Sequence, residues 1–241
     1  MQATQRRAAA YEILGRTVTM PAVVRDASSG NAIFLVPSAA AQPLVGDAFE
    51  VVEMAPGQTQ FILGFVDYRD NDLGDYNEVM MIFMVRPRGK PTEPEGTFIY
   101  KLPVNQSFTC EAGRTIWGFP KSVEQIDVAY ADDRVTCTLV MGGQHVFTLT
   151  VPRGKAVGGD APDGHGPDME MATYTYLDEP SVVRFTTGGP TAVQPGEDGV
   201  KLTLGTHPLA DELRCLGLPA PAMMSTWMEH MHGSFGAPRK L

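Results

Sequence analysis

The sequence predicts a mainly β fold of the α+β class, and three observations carry that expectation. Between residues 17 and 86, short runs rich in Val, Ile, Phe and Tyr recur at close intervals. Gly, Pro, Asp and Asn separate them, as turn chemistry demands. Around residue 140, apolar and polar side chains alternate with the period of two that belongs to a strand. With 43% hydrophobic residues in 241, the chain can bury a sizeable core, and residues 1–241 read as one domain.

Residues 1–10 are polar and alanine-rich and read as a frayed or helical lead-in. Strands follow near 17–25, 31–36, 48–54, 59–69 and 78–86, a succession that suggests an antiparallel meander. In the last of them, Val79–Val85 is apolar at every position, the mark of a strand buried on both faces. Glu78 stands at its entrance, placed to exchange a proton with a substrate. Asn105–Ile116 predicts a helix, although Gly113 weakens its last turn.

The stretch 133–151 predicts a hairpin. Val135, Cys137, Leu139 and Met141 form one apolar face, and His145, Phe147, Leu149 and Val151 form another. A two-residue Gly142-Gly143 loop would set Cys137 opposite Thr148 and mix the faces. A three-residue loop, Gly142-Gly143-Gln144, pairs Leu139 with Phe147, Cys137 with Leu149 and Thr138 with Thr148, and is therefore expected. It also turns His145 toward the core as a structural histidine. The glycine- and proline-rich stretches 152–170 and 187–199 read as long surface loops. A second helix is expected from His207 to Leu216, with Thr206 as N-cap, Pro208 and Asp211 early, and Gly217 as its stop.

A formal charge of −9 argues against a nucleic-acid partner, because phosphate binding is driven by clustered lysine and arginine. Cys110, Cys137 and Cys215 are odd in number and widely spaced, so they imply no disulfide framework and fit a reducing cytoplasm. No signal peptide or membrane span is expected, since the longest apolar run, Val79–Val85, is too short to cross a bilayer. Phosphate-loop, Gly-x-Ser-x-Gly and Cys-x-x-Cys patterns do not occur. His230 and His232 would share a strand face, with His207 as a third candidate ligand, but no carboxylate partner is evident and no metal is expected. Pro-Arg-Gly-Lys occurs at 87–90 and again at 152–155, each time as a charged turn closing a strand. The 13 methionines read as core filling, or as the adaptable wall of an irregular pocket.

The most informative segment is Gly113-Arg114-Thr115-Ile116-Trp117-Gly118-Phe119-Pro120-Lys121-Ser122. Phe119 precedes a proline and is biased to extended geometry, and Pro120 fixes its own φ. In an extended chain Trp117, Phe119 and Lys121 share one face, two aromatics beside one amine. An ordinary lysine, with a pKa of about 10.4, is almost wholly charged at pH 7 and is a poor nucleophile. Burial can lower that value by about 3 to 5, and reaching about 7 needs roughly 4.6 kcal/mol of bias against the charged form.

This segment resembles the active-site stretch of the acetoacetate decarboxylase family: a Gly-Arg pair, an aromatic-containing spacer, then Pro-Lys. A second stretch, Leu73-Gly74-Asp75-Tyr76-Asn77-Glu78, is similar to the family's Leu-Gly-x-Tyr-x-Glu. Weaker likeness runs from about Thr17 to the C-terminal end, including Leu202 to Pro238. One position departs: many of the family's decarboxylases carry a second lysine directly after the first, and here that residue is Ser122.

The resemblance implies a closed antiparallel β-cone or barrel with a few peripheral helices, usually a homo-oligomer, with neither metal nor organic cofactor. It implies that Lys121 forms a Schiff base with a keto acid and that Glu78 is the active-site glutamate. Acetoacetate decarboxylase is itself the standard example of a lysine activated by an apolar pocket or a neighbouring cation. Trp117 and Phe119 would keep the amine dry. Arg114, in the motif, and Arg25, in the region where the family supplies an arginine, are candidates to grip a substrate carboxylate. The implied reaction is decarboxylation of a β-keto acid. Ser122 leaves open aldol condensation and dehydration of pyruvate-like keto acids by the same lysine, and a non-catalytic binder of hydrophobic acids is a further alternative.

Overall fold

A computed structural model describes residues 9–154, 168–189 and 191–241. Most of the expected lead-in at 1–10 and of the expected loop at 152–170 lies outside the described residues. Strands β1 (Ala10–Ile13) and β2 (Arg16–Thr19) form a small ribbon. β3 (Ala22–Pro37) is one long strand where the sequence suggested two. Its middle, Ala27-Ser28-Ser29, reads as punctuation but is fully buried, because small side chains suit a strand hydrogen-bonded on both edges. Helix α1 (Ser38–Val45) follows, carries an internal Pro43, and has no counterpart in the sequence reading.

The expected strand at 48–54 divides into β4 (Phe49–Val51) and β5 (Glu53–Ala55). The division arises because they pair with different neighbours, β7 (Tyr76–Pro87) and β6 (Gln58–Asn71) respectively. β8 (Gly96–Val104), helix α2 (Ser107–Trp117) and β9 (Lys121–Val123) come next. Then β10 (Gln125–Tyr130), β11 (Arg134–Met141) and β12 (Gln144–Pro152) form a meander. β13 (Met169–Leu177) and β14 (Glu179–Gly188) form a hairpin. β15 (Thr191–Pro195) lies within the expected loop at 187–199, where it pairs with a late strand. β16 (Lys201–Leu204), helix α3 (Pro208–Cys215), β17 (Met224–Phe235) and β18 (Arg239–Lys240) complete the chain.

Seven strands close on themselves in the order β17-β3-β6-β7-β8-β13-β14 and back to β17. The barrel is antiparallel except at one step: β8 and β13 run parallel, Thr97 opposite Thr173. A parallel pair needs a long crossover, and here it is the chain carrying α2 and β9 to β12. The fully antiparallel expectation is corrected there.

β7 is buried on both faces, as its composition predicts. Val79, Met81, Phe83 and Val85 join a core with Phe34, Phe61 and Leu63, against which the sheet β10-β11-β12-β16 packs Leu139, Phe147 and Leu149. Glu78, Met80 and Ile82 face the barrel interior instead. A second core gathers Val66, Tyr68, Tyr76, Leu102 and Val104 with Phe108, Ala112 and Ile116 of α2, whose buried residues recur at helical spacing.

The β11–β12 hairpin has the expected partners, Leu139 with Phe147, Cys137 with Leu149 and Thr138 with Thr148, but not the expected loop. Met141 pairs with Gln144 across a two-residue Gly142-Gly143 turn in which both glycines have positive φ. A bulge beyond Val140–His145 then shifts the register by one and restores apolar pairing. Val146 takes the buried position, and His145 bonds Thr148 Oγ1 at 2.9 Å rather than entering the core. In α3 the N-cap is His207, whose Nδ1 accepts from the Leu209 N–H, one residue later than expected. No helix among the described residues is long and apolar enough to cross a membrane.

Candidate active site

Lys121 is aimed by the turn that precedes it. Gln106 caps α2 by accepting the Thr109 N–H at 2.7 Å, and Gly118, at φ 69°, ends the helix in the left-handed conformation. The chain reverses, the Phe119 N–H bonds the Gly113 carbonyl, and Lys121 starts a short strand parallel to β8 opposite Leu102. Residues 117–121 are therefore a helix end and a reversal, not the single extended run expected. The aromatics still meet: the Trp117 and Phe119 rings stack with centroids 5.6 Å apart. The lysine stem folds back across the helix at Gly113, where a Cβ would stand 2.5 Å from Lys121 Cδ and 2.7 Å from Cε. The glycine that weakens the helix is what admits the lysine.

The amine ends in a buried polar cluster. Lys121 Nζ lies 2.8 Å from Glu78 Oε2, with side-chain exposures of only 3% and 7%. It donates to Thr109 Oγ1 at 3.1 Å and sits 5.1 Å from the centre of the Tyr76 ring. The Tyr68 hydroxyl approaches Glu78 Oε1 at 3.5 Å, and the Tyr68 and Tyr76 rings stack at 4.6 Å. Burial is the largest influence on Lys121 and pushes its pKa down, but the Glu78 charge, Tyr76 and the hydrogen bond to Glu78 together outweigh it, so the net direction is upward. The expectation of an amine neutralised by burial alone is thereby corrected. Burial pushes the Tyr76 phenol up to about 12 and Tyr68 well above its usual range, so both stay neutral.

This cluster forms one pole of a cavity of about 350 Å³ inside the barrel. Trp117 and Phe119 line it with Lys121, and Met80, Met169, Met171, Met228 and Met231 line it as well. Methionine therefore serves as pocket wall as well as core. Among the described lining residues the charged side chains are Asp72, Glu78 and Lys121, with the His232 imidazole also present.

Neither expected arginine lines the cavity. Arg114 is exposed on α2, because the residue after inward-facing Gly113 lies about 100° further round the helix. Arg25 is held at the surface by Asp70 and Asp72, each at 2.8 Å. Three residues of the cluster had no role assigned from the sequence: Tyr68, Thr109 and Tyr76, the last although it stands in the matched Leu-Gly-x-Tyr-x-Glu stretch. Two carried a signal, since Tyr76 shares a strand face with Glu78 at i−2 and Thr109 shares a helix face with Gly113 at i+4. The histidines do not converge. Register irregularities in β17 separate His230, bonded to Asp26 at 3.1 Å, from His232, bonded to Asp168 at 2.8 Å, while His207 caps α3.

Comparisons with known proteins bear on the family and the fold. The family model for acetoacetate decarboxylase (ADC) matches residues 15–234. A curated acetoacetate decarboxylase from Acidiphilium cryptum (strain JF-5) is 33% identical over 78 residues, a match that spans 32% of this chain and 30% of the relative. The crystal structure of acetoacetate decarboxylase from Legionella pneumophila subsp. pneumophila str. Philadelphia 1 superposes with a TM-score of 0.67 at 17% identity, covering 92% of this chain and 87% of that one. The enduracididine biosynthesis enzyme MppR, complexed with pyruvate, superposes with a TM-score of 0.58 at 16% identity, covering 92% and 91%. At these identities the two structures show a shared fold. The match of the family model over most of the sequence establishes more: the chain belongs to the acetoacetate decarboxylase family.

Proposed function

We propose that this protein decarboxylates a β-keto acid through an imine on Lys121. The observation that carries the proposal is the buried Lys121–Glu78 pair, 2.8 Å apart, at the pole of a largely apolar cavity. Glu78 takes one ammonium proton, which frees the amine as a nucleophile. The amine adds to the ketone carbon. One proton passes from the nitrogen to the oxygen to give the carbinolamine, Glu78 returns its own proton to that hydroxyl, and loss of water leaves a protonated imine. The bond to the carboxylate then breaks, its electron pair moves into the iminium, and CO₂ leaves a neutral enamine. Protonation at carbon and addition of water release the ketone and restore Lys121.

The electrostatics of the cavity favour this direction. No arginine and no second lysine stands among the described lining residues, and Lys121 is already paired with Glu78, so a substrate carboxylate there finds no cation reserved for it. An unpaired buried carboxylate is costly, and conversion to neutral CO₂ removes that cost.

Ser122 leaves open a second reading, condensation and dehydration of pyruvate-like keto acids by the same lysine. MppR shares the fold and has been crystallised with pyruvate. Both reactions pass through an enamine and differ in whether it is protonated or attacks an aldehyde. Borohydride reduction in the presence of acetoacetate, pyruvate or longer 3-oxo acids, with mass-spectrometric mapping, tests the imine, using Lys121→Ala as control. An adduct at Lys121 is expected. An adduct elsewhere, or none with any acid, overturns the reading, and headspace CO₂ from the same incubations separates the two reactions.

A further inference from the structure

The volume and lining of the cavity point past a short keto acid. A dry cavity of about 150 Å³ accepts a benzene ring. At about 350 Å³, the barrel interior holds roughly twice as many heavy atoms, well beyond the size of acetoacetate. Along β7 the lining runs from Glu78 through Met80 to Ile82, about 13 Å of strand at about 3.3 Å per residue. A four-carbon acid joined to Lys121 leaves the Ile82 end unfilled.

The wall in that direction is aliphatic and thioether. Met80, Ile82, Ile99 and Met171 contribute from β7, β8 and β13. The polar groups among them are already engaged within the protein. The Asn31 amide donates to Ser29 Oγ at 3.2 Å and Thr226 Oγ1 at 3.1 Å, and the Thr173 hydroxyl donates to the Thr97 carbonyl at 3.4 Å. A ligand there has apolar surface to cover, and methionine side chains can adapt to its shape.

We infer that the substrate is a 3-oxo acid carrying a hydrocarbon tail of about five to eight carbons beyond the ketone, with the ketone at Lys121 and the tail along Met80 and Ile82. This assignment rests on the imine reading above and adds the substrate class. Straight-chain acids from 3-oxobutanoate to 3-oxodecanoate, assayed by CO₂ release and by borohydride trapping, test it. The expected result is a kcat/KM that rises about fourfold per added methylene until the tail reaches Ile82. Ile82→Trp should lower the ratio of long-acid to short-acid kcat/KM. A flat or falling series, with an adduct still formed at Lys121 by short acids, overturns the tail and leaves the imine chemistry standing. Calorimetry of methyl ketones from acetone to 2-nonanone on Lys121→Met, which cannot form an imine, reads the cavity separately. Affinity that grows with chain length is expected there, and affinity that does not grow overturns the assignment. Growth in ketone affinity without an adduct from any acid overturns the imine reading and, with it, the identification of a 3-oxo acid.

Discussion

Gly113 and Lys121 are packed so closely that a single carbon on the glycine would stand 2.5 Å from the lysine's Cδ. The hydrogen on the Gly113 Cα is what leaves a channel for the stem, and the channel decides where the amine ends. Gly113→Ala therefore separates stability from function. Alanine raises helix propensity by about 1 kcal/mol, while overpacking costs about 1 to 3 kcal/mol, so the Tm should move by only a few degrees. Displacing the amine by about 1 Å should slow imine formation about 100-fold. A Gly113→Ala variant that traps keto acids at the wild-type rate would show that the packing does not position the lysine.

Glu78 opposes the effect of burial on Lys121, so removing its charge should let burial prevail. In Glu78→Gln the pH dependence of borohydride trapping is expected to move to lower pH, since the amine then loses its proton more readily. Turnover should nevertheless fall, because the group that carries the proton is gone. Leaving Lys121 without its partner should cost about 3 kcal/mol in denaturant unfolding at neutral pH. Thr109→Val removes only a neutral acceptor at 3.1 Å and should move the profile the same way by less. A profile that moves upward in Glu78→Gln refutes this account of the pair.

Arg114 belongs to the matched motif yet is exposed on α2, away from the cavity. Its replacement by alanine should leave kcat/KM within about twofold, the behaviour of an exposed substitution without a buried partner. Loss of activity with unchanged Tm would instead show that Arg114 reaches the substrate.

Arg69 joins β6 to β3 by donating to both Asp26 oxygens, from Nε at 2.7 Å and Nη2 at 2.9 Å. That hydrogen bonding, with a smaller contribution from His230, holds the Asp26 pKa at about 2. A carboxylate with a depressed folded-state pKa adds stability that is fully present above its unfolded value of about 3.9. This stability is lost as the pH falls through the folded-state value. Asp26→Asn should therefore lower the Tm at neutral pH and flatten its decline between about pH 4 and pH 2. Thermal melts across that range check it, and an unchanged acid slope would count against the bridge.

What could be read along the chain was whatever depends on sequence neighbours. The period of two shows that Glu78, Met80 and Ile82 share one face of a strand and that Val79, Met81 and Phe83 share the other. The same period sets Leu139 against Phe147, even though the structure reaches that pairing through a tight turn and a bulge rather than a wider loop. The motifs around Glu78 and Lys121 name both partners of the cluster. Their meeting is a tertiary result. Only closure of the barrel brings β7 beside α2 and β9, pairs the amine with a carboxylate, and so raises a pKa that burial alone would lower. The same closure leaves Arg114 and Arg25 outside and sets β8 parallel to β13. Local periodicity decides which way a side chain faces, whereas its neighbours there are decided by which distant surfaces can be buried together.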